Sequence, residues 1–151
     1  MRVYLDVSCL NRPFDAQEQV RVRLETEAVH VIMEKIETGQ ISHVCSDMVA
    51  IEIDAHPDPQ RRRRLREMLP AGDDIIPLSD SILQRAVECQ MMGFKPADAA
   101  HVAAAEALRA DVLLSCDDRM CKAADRSRAK LRVRVMNPLA WLAEVEHGTN
   151  P

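Results

Sequence analysis

Four acidic residues stand where apolar runs meet helices or just inside them: Asp6, Glu52, Asp98 and Asp117. Asp6 ends the run Val3-Tyr4-Leu5, and Glu52 lies within Met48-Val49-Ala50-Ile51-Glu52-Ile53. Asp98 opens Ala97-Asp98-Ala99-Ala100-His101-Val102-Ala103, and Asp117 follows Val112-Leu113-Leu114-Ser115-Cys116. An unpaired carboxylate beside core-forming sequence is costly. Four that converge would repel one another, and a hard divalent cation relieves the repulsion. Oxygen-only ligation favours Mg²⁺ or Mn²⁺ over zinc. A cation so held lowers the pKa of bound water and stabilises charge on a phosphoryl oxygen. The chemistry these acids suggest is therefore hydrolysis of a phosphodiester by in-line attack of activated water.

Convergence requires a scaffold that delivers the acids to one place. Residues 2–6 read as a short buried strand, and Ser8 to Asp15, with Asn11-Arg12-Pro13, as a loop. Residues 16–38 carry helical periodicity, with Val20, Leu24, Ala28, Val31, Ile32 and Ile36 on the inward face and Gly39 as the stop. A strand at 41–45 follows, then a helix that Ser46 caps and that carries Glu52. Glu52 lies six residues beyond Ser46, roughly 9 Å along that helix, and points inward. A small register error would put Asp47 or Asp54 in its place. His56-Pro57-Asp58-Pro59 breaks the helix, which resumes over 60–68.

The remaining pattern is a minimal strand at Ile75-Ile76, a helix from Ser79 to Met92 with Ile82, Leu83, Ala86 and Val87 inward, and a helix from Lys95-Pro96 to about Arg109. Then come a strand at 112–115, a short helix at 117–125, a strand at 132–135 and a last helix at 139–146. Short apolar strands alternating with helices imply a parallel α/β sheet covered on both faces. Ligands of such sheets bind beyond the carboxyl ends of the strands, where Asp6 and Asp117 both lie. Asp98, in the first turn of its helix, is stabilised there by the helix dipole.

Composition narrows the class. A chain of 151 residues can bury a self-sufficient core, and we expect a single domain over 1–147 with a frayed tail at 148–151. Aromatic content of only 3% argues against aromatic stacking platforms for nucleic acid. A net charge of −4 gives no global attraction to nucleic acid or anionic membrane, so any such contact needs a local basic patch. The five cysteines form no CxxC pair and read as reduced thiols in a cytoplasmic protein. No run reaches membrane-spanning length, and the early first strand leaves no room for a signal peptide.

Arg119 and Lys122, neighbours on a helix beside Asp117, are the candidates for guiding RNA phosphates. Arg61-Arg62-Arg63-Arg64 points round its whole helix and reads as a solvated face. Ser8 and Ser115 are placed to hydrogen-bond a carboxylate or a metal-bound water, and ordinary turn capping is an equal alternative. His101 reads as a packed or hydrogen-bonded histidine rather than a ligand, and Met91-Met92 as core or interface filling.

The order and placement of these motifs resemble the PIN domain nucleases over essentially the whole chain. Val3-Tyr4-Leu5-Asp6-Val7-Ser8-Cys9-Leu10-Asn11 looks like that family's first strand, acid and following Ser/Thr. Cys45-Ser46 with Glu52 resembles its second acidic site, and Asp98-Ala99-Ala100-His101-Val102-Ala103 its third. Leu114-Ser115-Cys116-Asp117-Asp118-Arg119 resembles the fourth, where the doubled acid leaves open which carboxylate points inward. The resemblance implies a three-layer α/β/α fold with about five short parallel strands, dimerisation, and Mg²⁺- or Mn²⁺-dependent endoribonuclease activity. It casts Asp6, Asp98 and Asp117 as metal ligands, Glu52 as an assisting acid, and Ser8, Ser115 and Asp118 as their supports. Many bacterial relatives of this size, the VapC group among them, are toxins, which adds an antitoxin as candidate partner. The Asn11-Arg12-Pro13-Phe14-Asp15 loop is more elaborate than a minimal toxin's. The second reading, from another class, is a PIN-fold binding or regulatory protein with little catalysis that acts through a protein partner.

Overall fold

The structure is a computed structural model and describes residues 1–148. Five parallel strands form one sheet in the order β3-β2-β1-β4-β5. They are β1 (Arg2–Leu5), β2 (Ser42–Ser46), β3 (Ile75–Ile76), β4 (Val112–Leu114) and β5 (Arg134–Met136). Val3, Tyr4, Leu5, Val44, Cys45, Leu113 and Leu114 are all fully buried. Burial on both faces is why these strands read as continuous apolar runs rather than as alternating ones. Of the expected tail, only Gly148 falls within the described residues.

Among the described residues eight α-helices connect and cover the strands: α1 (Val7–Asn11), α2 (Val20–Glu37), α3 (Asp47–Asp54), α4 (Pro59–Glu67), α5 (Asp80–Met91), α6 (Pro96–Ala107), α7 (Asp118–Arg126) and α8 (Pro138–Glu146). Helix α6 packs across β2 and β4 with α5 against it, α2 pairs with α8, and α7 lies on β5. Alanine fills the buried side of α6, where Ala99, Ala103, Ala104 and Ala105 let the helix approach closely. Among the described residues, no helix is long and apolar enough to cross a membrane.

Three expectations need correction. The first is the loop expected at 8–15. It is instead helix α1, which begins directly after Asp6 because the Asp6 carboxylate caps it, followed by a 3₁₀ turn at Arg12–Phe14 that Pro13 opens. Arg61 donates to Asp15 Oδ1 at 2.7 Å and to Asn11 Oδ1 at 3.0 Å, so one member of the arginine run braces this turn.

The second is the inward face of α2. Val22, Glu25, Thr26, Ala28, Val29 and Ile32 are buried, while Val20 and Leu24 are exposed. Hydrophobic periodicity misplaced the face because a buried ion pair and a buried hydroxyl occupy part of it. The third is α5, which buries Ile82, Ala86 and Cys89 but turns Leu83 and Val87 to solvent with Met91. Met92 is partly buried against the core.

His43 on β2 is 5% exposed, and its Nε2 has no hydrogen-bond partner among the described residues. Burial pushes its pKa down to about 4, against a small raising effect of Asp74. The folded state therefore binds this proton less tightly than the unfolded chain, whose value is about 6.5. The stability contribution is complete above pH 6.5 and is lost as pH falls toward 4, on the order of 3 kcal/mol in total. Urea unfolding across that window should show a steeper decline for wild type than for His43→Leu. Parallel declines would contradict the assignment.

Candidate active site

The register of β1 against β4 pairs Leu5 with Leu114, and Asp6 N donates to Leu114 O at 3.1 Å. The two strands thus end together, and the next residues deliver Asp6 and Asp117 to the same edge of the sheet. Each acid also caps a helix: Asp6 Oδ1 accepts from Cys9 N at 3.1 Å, and Asp117 Oδ1 from Arg119 N at 2.9 Å. Capping fixes both carboxylates without a cationic partner.

The two serines knit these strand ends together. Ser8 Oγ donates to Asp6 Oδ1 at 2.5 Å and accepts from Cys116 N at 2.9 Å. Ser115 Oγ accepts from Asp117 N at 3.1 Å and lies 3.4 Å from Ser8 Oγ. Ser8 thus joins Asp6 to the backbone of Cys116, while Ser115 caps the turn into Asp117.

Asp98 sits in the first turn of α6 and faces the same crevice. Its pKa is pushed up to about 6, by burial first, then by the charges of Asp117 and Asp6, with His101 opposing and Glu52 adding a little. Burial likewise raises Asp6, against hydrogen bonds from Ser115 and Ser8, the His101 charge and the Cys9 amide. The charges of the other three acids thus all reach Asp98. Among the described residues none of the four is paired with Lys or Arg.

The two acids of the doubled pair have different surroundings. Asp118 turns away and takes Arg21 in a two-pronged ion pair at 2.7 and 2.8 Å, which holds its carboxyl below the usual range. Asp117 is the member of the pair whose charge helps raise Asp98. On α3, Asp54 pairs with Arg66 on the surface while Glu52 reaches His101.

That contact reveals a chain of groups that sequence reasoning missed. Glu52 Oε1 hydrogen-bonds His101 Nε2, His101 Nδ1 lies 2.7 Å from Tyr4 Oη, and Tyr4 Oη lies 2.6 Å from Ser46 Oγ. Burial holds the Tyr4 phenol well above its ordinary pKa, so it stays protonated. One arrangement of donors satisfies every member: Ser46 donates to Tyr4, Tyr4 to Nδ1, and Nε2–H to Glu52. His101 is the expected hydrogen-bonded histidine, and it orients Glu52. The one signal available was Tyr4, the chain's single tyrosine, whose hydroxyl needs a partner when buried.

Arg119 and Lys122 are both exposed, and with Asp98 they line a cleft of about 230 Å³. A larger cavity of about 510 Å³ runs beside β5, among Asp125, Arg132 and Glu144, and none of the four acids reaches it.

The donor set suits a small hard cation. All four groups are carboxylates, Asp98 feels the charges of the other three, and among the described residues none of them holds a Lys or Arg. As the side chains stand, no three His, Cys, Asp or Glu among the described residues form a group that could hold a metal ion. Mg²⁺ tolerates this arrangement, because it retains several waters and is usually bound through only one or two carboxylates.

The sequence model of the PIN domain matches residues 3–126, a span that includes all four acids. The chain belongs to the PIN domain family. Among solved structures, a chain of FitAB bound to an IR36 DNA fragment is similar to this PIN domain, with a TM-score of 0.54 at 18% identity over 91% of this chain and 95% of that one. At that identity the likeness speaks for the fold. No curated protein matches the sequence. The parallel five-strand sheet with flanking helices is the architecture that the family resemblance implied.

Proposed function

We propose that this PIN domain is a metal-dependent endoribonuclease. The observation that supports the reading is that Asp6 and Asp117 leave paired strand ends at one sheet edge, and that burial first, then the charges of Asp117 and Asp6, push the Asp98 carboxyl up to about 6. Asp6, Asp98 and Asp117 would hold Mg²⁺ or Mn²⁺, with Glu52 assisting directly or by orienting a water. The cation, when bound, activates water and stabilises charge on the phosphoryl oxygens. The chain's own residues do the positioning. Ser8 and Ser115 hold the strand ends in register, and His101 with Tyr4 and Ser46 fixes the direction of Glu52. Asp118, tied to Arg21, anchors the start of α7, while Arg119 and Lys122 receive RNA phosphates. Products are a cleaved strand with one phosphate terminus and one free hydroxyl.

Family resemblance extends the proposal to a toxin restrained by an antitoxin in the cytoplasm, and to a homodimer. The exposed apolar stripe of Leu83, Val87 and Met91 on α5 supports an interaction surface, since such contiguous patches mark contacts. The fold likeness to FitAB on DNA agrees with a role that involves a partner.

A thermal titration separates this proposal from a catalytically weak PIN-fold binding protein. A ligand specific to the folded state must raise stability, by about 2.7 kcal/mol at a hundredfold excess over Kd. Mn²⁺ should raise the midpoint of wild type and not that of Asp98→Asn. A wild-type midpoint indifferent to Mn²⁺ and Mg²⁺ would favour the binding protein.

A further inference from the structure

The cleft beside Asp98 has features that metal binding leaves unexplained. Its floor is apolar: Phe94, Met120 and Ala123 line it and are nearly fully buried. Its rim carries four cations, Lys95 at the start of α6 and Arg119, Lys122 and Arg126 on α7. Spacings of three and four residues put the three on α7 along one helix face. Among the described residues none of the four holds a carboxylate, whereas Arg12, Arg21, Arg61, Arg66, Arg85 and Arg134 each do. Gly93 sets the cleft's edge. Its φ of +112° makes the turn from α5 that seats Phe94 and Lys95 side by side.

We propose that this cleft takes one unstacked nucleotide of a single-stranded RNA, adjoining the phosphodiester at the carboxylate crevice. The inference rests on the nuclease reading above for the identity of the strand. The base lies on Phe94, Met120 and Ala123, and the flanking phosphates meet Lys95, Arg119, Lys122 and Arg126. The volume is below the 300–1,000 Å³ of drug-sized pockets, so a single base is the fitting occupant. Unpaired bases splayed into apolar or guanidinium-lined sites are the usual way proteins read single-stranded RNA. An acidic peptide would satisfy the rim but leave the apolar floor unused.

The test is binding of a short fluorescein-labelled single-stranded RNA, followed by anisotropy, with Asp117→Asn as host so that the strand stays intact. Asn still caps α7. RNAs that lack the base at one successive position each should bind equally well except at one position, where affinity falls about tenfold. Lys95→Ala and Arg126→Ala in the same host should each lower the slope of log affinity against log salt by about 0.7. Both side chains are exposed, and thermal midpoints unchanged from the host's verify folding.

No measurable binding, or binding indifferent to every abasic position and to both substitutions, overturns the proposal. So does an acidic peptide whose binding depends on Lys95 and Arg126 while that of RNA does not. Hydrolysis of bis(4-nitrophenyl) phosphate by the wild type with Mn²⁺ reads the nuclease chemistry separately. Its absence alongside cleft-dependent RNA binding would sink the nuclease reading and leave the nucleotide site standing.

Discussion

Asp98→Asn should abolish RNA cleavage and, with metal removed, raise rather than lower the thermal midpoint. The two halves share one cause. The Asp98 carboxyl is pushed up to about 6 by burial and by Asp117 and Asp6, so its ionised form is disfavoured in the fold. A raised folded-state pKa means that the group's contribution is complete below the unfolded value near 3.9 and is lost as pH rises through 6. At neutral pH the metal-free protein bears that loss, and asparagine removes it. Asp98 is only half-buried, so the gain is discounted for solvent screening to on the order of 1 kcal/mol, ~2–4 °C for a chain of this size. The stability difference should close below pH 4, where both forms are neutral. Cleavage should fall by more than about 100-fold, because even groups that only hydrogen-bond a metal ligand are worth 10–100-fold. A lower midpoint in chelator at neutral pH would contradict the account of the crevice.

Glu25→Ala should cost about 3–5 kcal/mol, the usual result of removing one partner from a buried ion pair. Glu25 is 1% exposed on α2. It accepts from Arg12 at 2.7–2.9 Å and from Arg21 at 3.3 Å, and it also takes the side-chain amide of Asn137, which caps α8. One carboxylate thus joins the 3₁₀ turn, α2 and α8. Its loss strands the Arg12 guanidinium in a partly buried place, although Arg12 keeps Asp15. Total stabilities of 5–15 kcal/mol leave little margin after such a change. Urea unfolding measures it, and a loss below about 1 kcal/mol would show that the cluster is replaceable.

Glu25 also marks where sequence reading failed. Apolar periodicity on α2 selected Val20, Leu24 and Val31, because a pattern of hydrophobic residues cannot see a carboxylate whose burial depends on Arg12, on Arg21 one turn before it and on the distant Asn137. The exposed Leu83 and Val87 on α5 misled in the opposite way: apolar side chains need not face the core. The strands were legible because both faces of β1, β2 and β4 are buried, leaving no alternation to confuse. Asp6 and Asp117 were legible because strand-end acids in parallel sheets share an edge.

The choice between Asp117 and Asp118 was not legible. Arg21, nearly a hundred residues away in sequence, pairs with Asp118, which no local pattern reveals. The relay from Ser46 through Tyr4 and His101 to Glu52 was equally hidden, since it joins β1, β2, α3 and α6 through hydrogen bonds alone. Loop 8–15 was misread because Asn11-Arg12-Pro13 reads as a turn, whereas Asp6 caps a one-turn helix that ends just before a 3₁₀ turn there.

The central claim is that the four-acid crevice hydrolyses RNA with a divalent cation. The direct measurement is cleavage of a defined single-stranded RNA by the wild-type protein, with Mg²⁺ or Mn²⁺ and with chelator, beside Asp98→Asn. The account predicts fragments only for wild type with metal. Equal cleavage in chelator, or by Asp98→Asn at the wild-type rate, would contradict it.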